Sequence, residues 1–130
     1  MLFLTLPLPP SVNSYRTIFR GRMNITKAGR EFKAAVADYV VEYKVPKLGD
    51  SKLKVTMVLF PRDKRKIDID NRIKAVLDAL EDAGVFNNDF QVDHLEIIRG
   101  EPVKNGGIRV MIETIDKTSS SLNESPSADS

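Results

Sequence analysis

Apolar and polar residues alternate about Phe3 and Thr5 over residues 2–8, until Pro7, Pro9 and Pro10 stop the run. A period of two ended by proline predicts an edge strand followed by a turn. Farther on, Phe32, Val36, Tyr39, Val40 and Tyr43 recur every three to four residues, the stripe of one helix face, and Thr26 stands ready as its N-cap. These positions predict a helix over about 27–43. Pro46, Gly49 and Asp50 make a turn, after which Leu53, Val55, Met57 and Leu59 alternate with Lys54, Thr56, Val58 and Phe60 as a largely apolar strand that Pro61 should end. A second helix is expected from Asp70, whose carboxylate can cap it, with Ile73, Val76 or Leu77, Leu80 and Ala83 on its buried face and Gly84 as its stop.

Two more apolar runs, at 92–99 and 108–115, read as strands. The Lys104-Asn105-Gly106-Gly107 turn between them predicts a hairpin with the two strands as antiparallel neighbours. Strand, helix, strand, helix, strand, strand is the order of a small α+β two-layer sandwich, two main helices against a mixed sheet. From Asp116 onward serine, threonine, proline and acids replace the apolar period, so residues 1–115 are expected to form the domain and 116–130 a disordered tail.

Composition narrows the chemistry. At 130 residues the chain is long enough for one core. It has no cysteine, which excludes disulfides, thiolate catalysis and sulfur-ligated zinc, and its single histidine argues against a zinc enzyme. No apolar run approaches the roughly 20 residues of a membrane helix. Residues 1–10 lack a basic leader and carry three prolines, unlike a secretory signal. A cytoplasmic location with no membrane partner is the expectation. The net charge is +2, but Asp116, Glu124 and Asp129 against Lys117 make the tail −2, which leaves the first 115 residues near +4. A mildly basic domain permits a nucleic-acid partner.

The charges are also clustered. Arg16, Arg20, Arg22, Lys27 and Arg30 follow one another with no acid among them in a stretch read as an electropositive loop, and Arg62, Lys64, Arg65 and Lys66 run directly into Asp68 and Asp70. If 67–70 is extended, Asp68 and Asp70 share one face and Ile69 points inward. Two carboxylates held together repel unless a cation neutralises them, and an oxygen-only donor set favours magnesium, with manganese a substitute. The structural alternative is a pair of turn and cap residues matched with Lys64, Arg65 or Arg72. Lys74, four residues past Asp70, could reach back toward the carboxylates and a scissile phosphate, or form an ordinary helical ion pair.

Asp89 lies in the turn Asn87-Asn88-Asp89-Phe90-Gln91, where periodicity does not separate a catalytic role from a turn aspartate bonded to its own backbone. Asp78 and Asp93 are weaker metal-ligand candidates. His94 alternates with Leu95 and Ile97 on a strand and reads as structural or solvent-facing. Tyr39 and Tyr43 fall on the apolar stripe, while Tyr15 is free to stack on a base. The glycines form no phosphate loop, so nucleotide-triphosphate hydrolysis has no support.

Asp68-Ile69-Asp70-Asn71 with Lys74, then Ala79-Leu80 and Gly84, then Asn88-Asp89-Phe90-Gln91-Val92, resemble the RusA family of Holliday junction resolvases, as does the opening Pro9-Pro10-Ser11-Val12-Asn13. The resemblance runs from about residue 3 to 115. It implies a homodimeric, magnesium-dependent endonuclease, typically phage or prophage encoded, that makes paired symmetrical nicks in four-way DNA. It also implies that Asp68, Asp70 and Asp89 are the catalytic metal-binding acids and Lys74 the essential lysine, with Arg16, Arg20, Arg22, Arg62, Lys64, Arg65 and Lys66 as DNA contacts. Ile67 departs from the more continuously basic approach to the first acid, which bears on junction contacts and not on the acids. A non-catalytic branched-DNA-binding protein and a less selective flap or fork nuclease are the alternatives.

Overall fold

Leu53, Val55, Met57 and Leu59 are all fully buried, and the residues between them are half-buried, so strand 53–60 belongs in the middle of a sheet. The computed structural model describes residues 1–11, 16–19 and 22–115, with 16–19 and 22–24 as backbone alone. Its elements are β1 (Leu2–Leu6), β2 (Arg16–Phe19), β3 (Arg22–Ile25), α1 (Lys27–Glu42), β4 (Leu53–Phe60), α2 (Ile73–Asp82), β5 (Val92–Arg99) and β6 (Gly107–Thr114). Short 3₁₀ turns at Asp70–Arg72 and Asp89–Gln91 precede α2 and β5.

The main sheet has the order β1-β6-β4-β5, and β2 and β3 form a separate antiparallel ribbon. β6 is antiparallel to both β1 and β4, with Leu4 opposite Val110 and Met57 opposite Val110 on either side. β5 runs parallel to β4, from Leu53 opposite Val92 to Leu59 opposite Arg99. This small α+β fold, a mixed sheet with two main helices, is the class that the sequence pattern predicts.

Two expectations about strands are corrected. β5 and β6 are not neighbours, because β4 lies between them. Asn105 and Gly106 do adopt positive φ, 68° and 67°, but the turn they make carries the chain past β4 instead of closing a hairpin. The arginine-rich stretch behind the N-terminal prolines, expected as a loop, carries the β2–β3 ribbon.

Both helices pack on the sheet face that presents Leu4, Leu6, Ile108, Val110 and Ile112. Phe32 and Val36 from α1 and Val76, Ala79 and Leu80 from α2 complete one core with Val85 and Phe86. Thr26 caps α1 as predicted, its hydroxyl accepting from Gly29 N at 3.1 Å. Tyr43 does not follow the stripe; it is 61% exposed at the helix end, with its ring against Tyr39. The Tyr39 hydroxyl accepts from Thr5 N on β1, and Lys33 of α1 pairs with Asp82 of α2. Gly84 stops α2 with φ 83°, a conformation that costs glycine little. Among the described residues no helix is long and apolar enough to cross a membrane.

Candidate active site

β4 and β5 end side by side because they are parallel, and the chain leaving β4 must climb away from the sheet before α2 can return it. The carboxyl ends of such strands leave a crevice bounded by the connecting segments. Here a cleft of about 520 Å³ is walled on one side by Lys64, Arg65, Lys66 and Asp68 and on the other by Arg99 and Glu101. The basic run that the sequence places before Asp68 therefore lines the same cleft as Asp68 itself.

Within this wall Arg65 is committed to Asp63. Its Nε and Nη2 donate to the carboxylate at 2.8–3.1 Å, and its backbone N–H donates as well. These bonds, the side-chain ones foremost, hold the Asp63 carboxyl below the usual carboxylate range and raise the Arg65 guanidinium above its ordinary value. Arg62, Lys64 and Lys66 are exposed. Arg16 and Arg22 fall on β2 and β3, whereas Arg20 and Tyr15 lie outside the described residues, as does the tail 116–130.

Asp68 and Asp70 are both exposed, but not as alternating residues of an extended segment. Ile69 has helical backbone angles, φ −82° and ψ −27°, and Asp70 opens a 3₁₀ turn without a side-chain capping bond. The expected strand-like pairing and the Asp70 cap are thus both replaced by a helical turn. Ile67 and Ile69 still pack against the core, so the acids stand on a supported segment.

Lys74 points forward along the helix, not back to Asp70. Its Nζ lies 3.2 Å from Asp78 Oδ1 and 3.2 Å from Asp89 Oδ2. The bond to Asp78, ahead of that to Asp89, raises the Lys74 ammonium above its ordinary value, against a smaller effect of burial. Asp78, weighed in the sequence as a weaker ligand candidate, is the lysine's nearly buried helical partner. Asp89 comes from the turn before β5, and that turn is held firmly. Asn88 caps it by accepting from Phe90 N, and the buried Gln91 accepts from Asn87 N and Asn88 N while donating to Gly49 O and Ser51 O. Asp89 N in turn donates to Glu81 of α2. Asn88, not Asp89, caps the turn with its side chain, and the Asp89 carboxylate accepts from Lys74 instead.

Asp93 pairs with Lys52 at 3.9 Å, and His94 is solvent-facing beside Glu96, as its strand position suggests. The sequence reading offers Arg72 only as a partner for the two acids and passes over Arg99. Arg72 donates through Nη1 to Pro9 O at 2.5 Å, tying the start of α2 to the N-terminal prolines, and burial, then the charge of Arg62, lowers its pKa from the ordinary value. Arg62 and Arg72 line a second cleft of about 490 Å³ beside those prolines.

A family model described as Endodeoxyribonuclease RusA matches residues 7–113. The chain belongs to the RusA family. It is 30% identical over 111 residues to "Crossover junction endodeoxyribonuclease rusA" of Enterobacteria phage HK97, covering 85% of this chain and 92% of that one. It is 32% identical over 110 residues to the protein of that name from Enterobacteria phage 82, covering 84% and 91%. With the RusA of Escherichia coli strain K12 it shares 30% over 109 residues, covering 84% and 91%. The matched range contains Asp68, Asp70, Lys74, Asp78 and Asp89, and the family is one of nucleases with phage-borne members.

Nucleases of the RusA family generally use a divalent metal. The donor set suits a hard cation: the acids around the cleft and turn are carboxylates, and the buried Asn71 Oδ1 beside Asp70 has no hydrogen-bond partner among the described residues. Among the described residues, however, no three acidic or imidazole groups converge as a ready metal cluster. Asp68 and Asp70 stand at the head of α2, and Asp89 lies farther along it, neutralised by Lys74.

Proposed function

We propose that this chain is a homodimeric endonuclease that resolves four-way DNA junctions by paired symmetrical phosphodiester hydrolysis, with magnesium as cofactor and manganese as a substitute. The observation that carries this reading is the Lys74–Asp89 contact, which joins two elements 15 residues apart inside the family-matched range. It brings together, at a half-exposed surface, the lysine and one of the acids that the family resemblance singles out.

Asp68, Asp70 and Asp89 would hold the magnesium, which supplies an activated water and polarises the phosphate. The chain's own residues do the rest. Lys74, kept protonated by Asp78 and Asp89, is a cation and not a base at neutral pH, suited to oxygen atoms that gain charge as the bond breaks. Arg62, Lys64, Lys66 and Arg99 attract and position the backbone along the cleft, and Arg16, Arg20 and Arg22 add further cations for DNA. A dimer presents two such sites to a substrate with approximate twofold symmetry.

The test is strand-specific cleavage of a mobile four-way junction beside linear duplex and flap DNA, with magnesium or chelator, and with Asp70→Asn as control. Paired symmetrical nicks confined to the junction, and lost in chelator or D70N, are expected. Tight binding without nicks on a core that samples many sequences would instead mark a branched-DNA-binding protein. Equal cutting of flaps would mark a less selective nuclease.

A further inference from the structure

Phe90 is 81% exposed, the most open large apolar side chain among the described residues, and it directly follows Asp89. Nothing about its backbone is loose. Its own N–H is capped by Asn88, the preceding N–H is bound by Glu81, and the following Gln91 is buried with four hydrogen bonds to the 49–51 and 87–88 segments. The fold thus holds an aromatic ring out in water on a fixed pedestal. One cation attends it: Lys52 Nζ lies 5.6 Å from the ring centroid and also pairs with Asp93.

What the ring is offered to follows from its surroundings. Asn87, Asn88, Lys52 and Asp93 are polar and exposed, so Phe90 is not the centre of a contiguous apolar patch of the size protein partners cover. A nucleic-acid base needs only one π-face, and it brings a phosphate for a neighbouring ammonium. Phe90 directly follows Asp89 in one 3₁₀ turn, so a base on Phe90 lies near whatever phosphate Asp89 serves.

We infer that Phe90 is a stacking platform for an unstacked base next to the cleaved bond, with Lys52 held against the adjoining phosphate. This deepens the nuclease reading and rests on it for the role of Asp89. Stacking on a ring tolerates every base, so Phe90 contributes positioning more than a sequence code.

The chain contains no tryptophan, so Phe90→Trp introduces a single reporter. In the full-length protein carrying Asp70→Asn, the Trp emission should be quenched on saturation with a four-way junction, while anisotropy of labelled DNA follows binding independently. In otherwise wild-type protein Phe90→Ala should slow junction nicking about tenfold, and Phe90→Trp should restore it. Unquenched emission from fully bound DNA, or wild-type nicking by Phe90→Ala, would overturn the inference. So would a shift of DNA-free Phe90→Ala to a smaller sedimenting species, which would make the ring a contact between copies. If the wild-type protein nicks no junction but the Trp is quenched, stacking stands and the nuclease reading falls.

Discussion

Lys74 is the residue on which charge and geometry meet. Its folded pKa is raised, so the associated stabilisation is fully present below the ordinary value of 10.5 and is lost only as pH climbs through the folded value. Being half-exposed, the contacts contribute little to folding, so Lys74→Met should change unfolding free energy by no more than about 1 kcal/mol in a urea titration. Nicking should fall about 10²–10³-fold, the typical cost of one donor to a developing anion. Between about pH 6 and 9 the nicking rate should show no inflection belonging to Lys74, and Lys74→Arg should leave the shape of that profile unchanged. A lysine-dependent inflection near neutrality would mean that it acts as a base. The sequence singles out this lysine but not its direction, since Asp70 and Asp78 are both four residues away. The 3₁₀ turn at 70–72 decides it: with about 3.0 residues per turn in place of 3.6, Asp70 is rotated out of line, and only Asp78 keeps the helical spacing.

Among the elements, the 87–91 turn has the most to lose from one substitution. Gln91 satisfies two backbone N–H groups and two carbonyls from a buried position, so Gln91→Ala strands several polar groups and leaves a void. A destabilisation of about 2–4 kcal/mol is expected in chemical denaturation, with a loss of nicking that stabilising solutes do not fully recover, because Asp89 loses its seat. A change under about 1 kcal/mol would show that Asn88 alone holds the turn. Helix and strand limits were legible because each rests on a local period: β4 and β5 occupy the residues that their apolar runs predict, and Thr26 and Gly84 end helices where expected. Sheet order was not legible from the Asn105-Gly106 signal, since positive φ fixes a turn and not which strands it joins. The half-buried second face of β4 was the better clue to a central strand. Within β2 and β3 the arginines mask the alternation, so their ribbon left no period to read. Asp68 and Asp89 were legible as acids in suggestive company, but the contact between Lys74 and Asp89 depends on how the 82–92 segment folds back along α2, which no spacing encodes.

Across the whole molecule the balance of charge is set by where the domain ends. The family match stops at residue 113, β6 ends at Thr114, and Ile115 makes its last backbone bond by donating to Lys52 O. Residues 116–130 carry three acids and one lysine, so removing them raises the net charge from +2 to about +4. We therefore expect the chain shortened to residue 115 to melt within about 2 °C of the full chain. At low salt it should bind junction DNA a few-fold more tightly, because the added positive field reaches farther when screening is weak. The gain should shrink as salt rises and the Debye length falls below about 10 Å, which makes the slope of log affinity against log salt slightly steeper for the shortened chain. A shallower slope would mean that the tail itself meets DNA phosphates. A melting point lower by many degrees would place it within the fold.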